Sequence, residues 1–167
     1  PVILAALFWK RCNRWGALAG MLGGGVMVFV GKFAIKPLGG VFNMCKAAVK
    51  ELVKSQDPSI VTIGSDLGVR PIPERIGYCP SKAGVIMLTK VMAMELAKKN
   101  ITVNCVSPGM IGDDIKSTPY TWIGRTGLGE EVADLLLFLA GDDASFITGV
   151  DYTIDGGGIL GPHGNDL

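Results

Sequence analysis

Ser65, Tyr78 and Lys82 are the three side chains of this sequence whose types and spacing point to a single reaction. They lie in the stretch Ser59–Lys82, SIVTIGSDLGVRPIPERIGYCPSK, and offer a hydroxyl, a phenol and an amine. A free tyrosine has a pKa of about 10, so it exchanges protons poorly at neutral pH unless a nearby cation or hydrogen bond favours the phenolate. Lys82 is such a cation, because positions i and i+4 are neighbours on a helix surface. Ser65 could then hold a carbonyl or alcohol oxygen while Tyr78 gives or takes its proton, which is general acid–base chemistry on an oriented substrate.

The elements that must position these groups follow from local pattern. Ser59–Ile63 is a short β-branched run closed by Gly64-Ser65, which predicts a buried strand delivering Ser65 to its carboxyl end, where open α/β sheets hold their ligand crevice. From Pro80 to Lys99 the pattern is helical, proline suiting a first turn, and its apolar residues spread around the circumference. A helix apolar on nearly all sides is expected to be buried on nearly all sides. Upstream, Val41, Cys45, Ala48 and Leu52 share one face of a helix within residues 37–56. Downstream come a strand at Ile101–Val106 and the turn Ser107-Pro108-Gly109. A lid follows over residues 112–129, in which Tyr120 and Trp122 either pack the loop down or cap a substrate. The helix Glu130–Ala140 has acids in its first turn and turns Val132, Leu135, Leu136 and Leu139 inward, before a last strand at Val150–Ile154. This β-α-β-α-β order by itself predicts the α/β class, with a parallel sheet flanked by helices.

Composition removes several functions. A chain of 167 residues is expected to bury one core as a single domain. A net charge of +1 provides no field for nucleic acid. Cys12, Cys45, Cys79 and Cys105 contain no Cys-x-x-Cys pair, so neither a metal site nor a disulfide framework is expected, and a reducing cytoplasm fits best. Cys79 reads as a small packed hydrophobe rather than a reactive thiol, and the lone His163 has no ligand partners in view. Trp15–Gly31 is free of charge but short of the roughly 20 apolar residues of a membrane span, and its glycines disfavour a helix. Within it, Val26–Val30 has strand composition behind the breaker Gly23-Gly24-Gly25.

Ser65 with Tyr78-x-x-x-Lys82, the following Ala83-Gly84, Asn104-Cys105-Val106-Ser107-Pro108-Gly109, Phe146-Ile147-Thr148-Gly149 and Asp155-Gly156-Gly157 closely resemble the short-chain dehydrogenase/reductase family. The resemblance runs from about Gly39 to Gly158. It implies a Rossmann-like fold and an enzyme interconverting a small-molecule alcohol and a ketone with NAD or NADP. Ser65 would orient the oxygen, Tyr78 would be the acid or base, and Lys82 would favour the phenolate and hold the nicotinamide ribose. Tyr78, Lys82, Pro108, Gly109 and Ile111 would contact the cofactor. The helix from Pro80 and the helix beginning near Val41 would meet a second subunit in a homodimer or homotetramer.

The chain departs from the family's pattern in three places. Gly16-x-x-x-Gly20-x-x-Gly23 is not the family's Gly-x-x-x-Gly-x-Gly phosphate loop, and no acidic residue follows about 20 positions on to hold a ribose. Pro37 stands where the family has an asparagine in its proton relay, and Asp113 where it commonly has a carboxamide-binding threonine. Residues 1–36 therefore read as a truncated or divergent apolar segment ahead of a catalytic part at 37–158. The competing expectation is a catalytically impaired remnant acting only as an oligomerising or membrane-attached module.

Overall fold

The structure, a computed structural model, describes residues 26–29 and 36–161. The glycine pattern at residues 16–25, Cys12 and His163, with the expectations placed on them, lie outside the described residues. Four strands form one parallel sheet in the order β1 (Val26–Phe29), β2 (Ser59–Ile63), β3 (Thr102–Pro108) and β6 (Asp151–Ile154). Helices α1 (Lys36–Leu52) and α2 (Tyr78–Leu96) pack on one face of the sheet, and α3 (Gly129–Ala140) packs on the other. β4 (Ile111–Gly112) and β5 (Gly127–Leu128) pair with each other at the two ends of the lid.

β2 shows why this chain makes a parallel sheet. Its five residues are all buried, since both faces of the sheet are covered and no side of the strand meets water. Successive side chains still point to opposite faces. Ile60, Val103 and Cys105 meet Val41, Cys45, Ala48 and Leu52 of α1 and Val85, Ile86 and Met92 of α2. Val61, Ile63 and Val106 meet Val132, Leu136 and Leu139 of α3. Each branched side chain so buried contributes about 1.5–3 kcal/mol. The inward faces predicted for α1 and α3 are those observed. The two buried hydroxyls at this level, Thr62 and Thr89, lie 2.6 Å apart and hydrogen-bond each other, so neither is stranded in the apolar layer.

Several boundaries differ from the sequence expectation. α2 begins at Tyr78 rather than Pro80, which makes Tyr78 its first residue and Pro80 its third. The amides of a first turn have no partner inside the helix, so Pro80 removes no bond there. The α-helical part ends at Leu96, a single 3-10 turn carries the chain to Lys99, and Asn100 closes it at φ 56°, a left-handed conformation that asparagine tolerates. β3 runs on to Pro108 because its end pairs with Ile154. Nor is α2 buried on nearly all sides within this chain: Met87 and Met94 are 59% and 72% exposed. Among the described residues no helix is long and apolar enough to cross a membrane.

Candidate active site

Parallel strands end on the same side, so β2, β3 and β6 deliver their carboxyl ends to one edge. At that edge Gly64 continues the ladder by donating to the Val106 carbonyl at 2.8 Å. A Cβ on Gly64 would stand 2.9 Å from Cys105 Sγ and still closer to the Ser107 hydroxyl, so only glycine lets β2 turn out here. Ser65 follows in extended conformation and caps a 3-10 turn, Asp66–Gly68. Gly68 brings that turn against α2: a Cβ there would lie 2.9 Å from the Ala83 nitrogen and 2.9 Å from the Lys82 carbonyl carbon. The serine turn and the tyrosine helix thus touch backbone to backbone.

Lys82 completes the connection. Its ammonium donates to the Ile63 carbonyl at 3.0 Å, fastening α2 to the last residue of β2, and it lies 5.7 Å from the centroid of the Tyr78 ring. The side chain is only 7% exposed. Burial pushes its pKa below the ordinary 10.5, since a charged amine loses water there; the nearby Cys105 opposes the shift. Tyr78 is half-buried. The arrangement places a cation over a phenol, on the helix that packs against the turn carrying the Ser65 hydroxyl.

Of the other residues named from sequence, Pro108 and Gly109 reach the same edge. Gly109 donates to the Ile154 carbonyl at 3.0 Å and packs so closely on Asp155 that a Cβ would come within 2.5 Å of its side chain. Ile111 instead packs partly buried against the α3-side core. Ser107 donates to Asp151 at 2.6 Å, while Asn104 donates to the Ile147 carbonyl at 2.7 Å and accepts from the Val150 amide. These two serve to hold β3 and the approach to β6.

The lid is fastened at both ends. Arg125 grips Glu131 of α3 with two bonds of 2.9 and 2.7 Å, and the guanidinium, with the Leu128 amide, holds the Glu131 carboxyl down at about 2. Trp122 packs on Gly157, whose φ of +83° and close contact exclude a side chain, whereas Tyr120 is 63% exposed. Trp122 thus rests one face on the turn at Gly157 while remaining 47% exposed. A cavity of about 430 Å³ lies between the loop after Gly68 and the start of α2, lined by Leu67, Pro71, Ile72, Ile76, Cys79 and Ala83. It flanks the Ser65, Tyr78 and Lys82 cluster without including it. Burial pushes the Cys45 and Cys105 thiols up to about 12 and about 11, leaving them inert.

Two acids stand at this edge, Asp155 from a motif already singled out in the sequence and Asp66, which had no place in the sequence expectation. Asp66 Oδ1 accepts both the Ser65 hydroxyl at 2.9 Å and the Leu67 amide at 2.7 Å. Asp155 caps the last turn through the Gly157 and Ile159 amides, at 2.9 and 2.7 Å. Burial raises the Asp66 carboxyl above its ordinary value, with the charge of Asp155 adding to the rise and the Ser65 and Leu67 bonds opposing it. The signal was a carboxylate directly after the serine, a position from which it can reach back to its neighbour.

Comparison with known proteins agrees with this fold. The family model described as enoyl-(acyl carrier protein) reductase matches residues 36–158. A 3-oxoacyl-(acyl-carrier-protein) reductase of Chlamydia trachomatis is 37% identical over 130 residues, covering 72% of this chain and 52% of the relative. Among solved structures, an acetoin dehydrogenase from Salmonella typhimurium superposes with a TM-score of 0.71 at 33% identity, over 74% of this chain and 52% of that one. A 4-hydroxyisoleucine dehydrogenase complexed with NADH superposes with a TM-score of 0.67 at 33% identity, over 75% and 57%. The chain spans about half the length of the curated relatives it matches. With the Rossmann-like parallel sheet, the serine turn seated on the tyrosine helix and the family model matched across most of its length, the chain belongs to the short-chain dehydrogenase/reductase family.

Proposed function

We propose that this chain is the catalytic part of an NAD(P)-dependent oxidoreductase that interconverts a small-molecule alcohol and its ketone. The observation that carries the reading is the Lys82 ammonium, held to the Ile63 carbonyl and poised over the Tyr78 ring beside the Ser65 turn. An ammonium and a phenol at the carboxyl edge of the sheet are the donor chemistry that suits a ribose diol, so Tyr78 and Lys82 would hold the nicotinamide ribose. Pro108, Gly109 and Ile111 would bound the ring. When bound, the nicotinamide supplies a hydride to the carbonyl carbon or takes one from the carbinol. Ser65 orients the substrate oxygen, and Tyr78 gives it a proton or takes one. The cation over the ring favours the negative charge left on the phenol oxygen as the proton departs. The free, buried Cys45, Cys79 and Cys105 suit a reducing cytoplasm, and the exposed apolar stripe of α2 suits a second copy of this chain, as a homodimer or homotetramer.

The test is turnover by the purified chain with millimolar NAD(H) or NADP(H) and a panel of alcohols and ketones. At least one pair should be converted. Tyr78→Phe should lower its rate by about a thousandfold or more while leaving thermal unfolding unchanged, because the substitution removes the proton donor and little else. Retained turnover in that variant removes Tyr78 from its role. Absence of turnover in the wild type would leave an oligomerising module without chemistry.

A further inference from the structure

A hydroxyl has one proton to donate and two lone pairs with which to accept. The Ser65 hydroxyl donates its proton to Asp66 Oδ1 at 2.9 Å and accepts the Leu67 amide at 3.2 Å. An ionised carboxylate can only accept, so the direction of the first bond is set by chemistry. One lone pair is what Ser65 has left to offer a substrate. A ketone oxygen also has only lone pairs, whereas an alcohol brings a proton of its own. Asp66 cannot easily swing away, since the same Oδ1 takes the Leu67 amide at 2.7 Å and the carboxyl is half-buried. The turn itself is pinned to the backbone of α2 through Gly68.

We infer that Asp66 is a positioning residue that sets substrate preference: by holding the proton of Ser65 it weakens the binding of the ketone relative to the alcohol. The inference rests on the reading of Ser65 as the group that meets the substrate oxygen. A charged acceptor engages a hydroxyl more strongly than a neutral carbonyl does, so a ketone must displace the better partner before Ser65 can donate to it.

Two experiments decide it. The first needs no turnover: the side-chain carboxyl carbon of Asp66 is titrated by NMR in the wild type and in Ser65→Ala. Loss of a donated hydrogen bond should move the midpoint upward, and an unmoved midpoint overturns the inference. The second measures equilibrium binding of a matched alcohol and ketone to the chain with cofactor present. In Asp66→Ala the ketone should bind about tenfold more tightly while the alcohol changes by less than about threefold. In Asp66→Asn, whose neutral amide oxygen still accepts from Ser65 and Leu67 but holds the hydroxyl proton less strongly, the preference should fall between those of the wild type and Asp66→Ala. Equal weakening of both ligands in Asp66→Ala would show a merely structural role and overturn the inference alone. A wild type that binds and converts neither ligand overturns the proposed function and this inference with it.

Discussion

The Lys82 ammonium lies 5.7 Å from the centroid of the Tyr78 ring while it donates to the Ile63 carbonyl at 3.0 Å. The backbone bond fixes where the charge sits, and the helix fixes where the ring sits, so their separation is set by two independent restraints. A lysine restrained in this way is buried at a cost, because the ammonium gives up most of its water.

That cost predicts a pH dependence. The pKa of Lys82 in the folded chain is below the 10.5 of the free group, for which desolvation is the main cause. Below the folded value both states are protonated and the full penalty of burial is present. As pH rises from there toward 10.5 the unfolded chain binds more protons, so stability increases. Urea unfolding between pH 7 and 10.5 should therefore show the wild type gaining on Lys82→Met, with a slope of at most about 1.4 kcal/mol per pH unit. A constant difference across that range would contradict the burial of a charged amine.

Gly68→Ala should disturb the site without touching any of its functional groups. The added Cβ would stand 2.9 Å from backbone atoms of Lys82 and Ala83, and backbone cannot step aside as a flexible side chain can. We expect a loss of about 1–3 kcal/mol of stability, typical of overpacking, together with reduced turnover. Differential scanning calorimetry alongside the activity assay checks both, and an unaffected variant would show that the turn and the helix do not touch.

Dinucleotide should bind weakly to this 167-residue chain. The sequence has no Gly-x-x-x-Gly-x-Gly loop, no acidic ribose partner downstream of its glycines, and Asp113, exposed just beyond β4, in place of a threonine. A glycine loop at a helix start aims several backbone amides at the pyrophosphate, and without that set several kcal/mol are lost. At about 1.4 kcal/mol per tenfold, micromolar affinity becomes millimolar. Isothermal titration with NADH and NADPH measures it. Micromolar binding of either would mean that residues ahead of α1 build a phosphate site of another pattern.

Met87, Val91 and Met94 form an exposed apolar stripe along α2 at spacings of four and three residues. A stripe of this kind leaves the helix half covered, and self-association would bury it. Sedimentation at micromolar concentration should find a dimer or tetramer, and Met87→Glu with Met94→Glu should shift it to monomer. A wild type that is monomeric and soluble would refute the assembly.

The sequence by itself determined what depends on near neighbours. The strand Ser59–Ile63 and the inward faces of α1 and α3 were legible because β-branched runs and 3.6-residue periods are local signals. Tyr78 and Lys82 were legible because four residues bring two side chains together on any helix. Tertiary structure decided whatever spans distant segments. That Lys82 bonds the Ile63 carbonyl, nineteen positions away, and that Gly68 seats the serine turn on α2 follow from packing, which no local pattern encodes. Ile111 packs partly buried against the core on the α3 side, where β4 pairs with β5, and that placement too follows from distant segments meeting. Asp66 is the instructive case. Its place beside Ser65 is written in the sequence, yet whether its carboxylate faces water or takes the serine's proton depends on the half-buried turn that the fold builds around it.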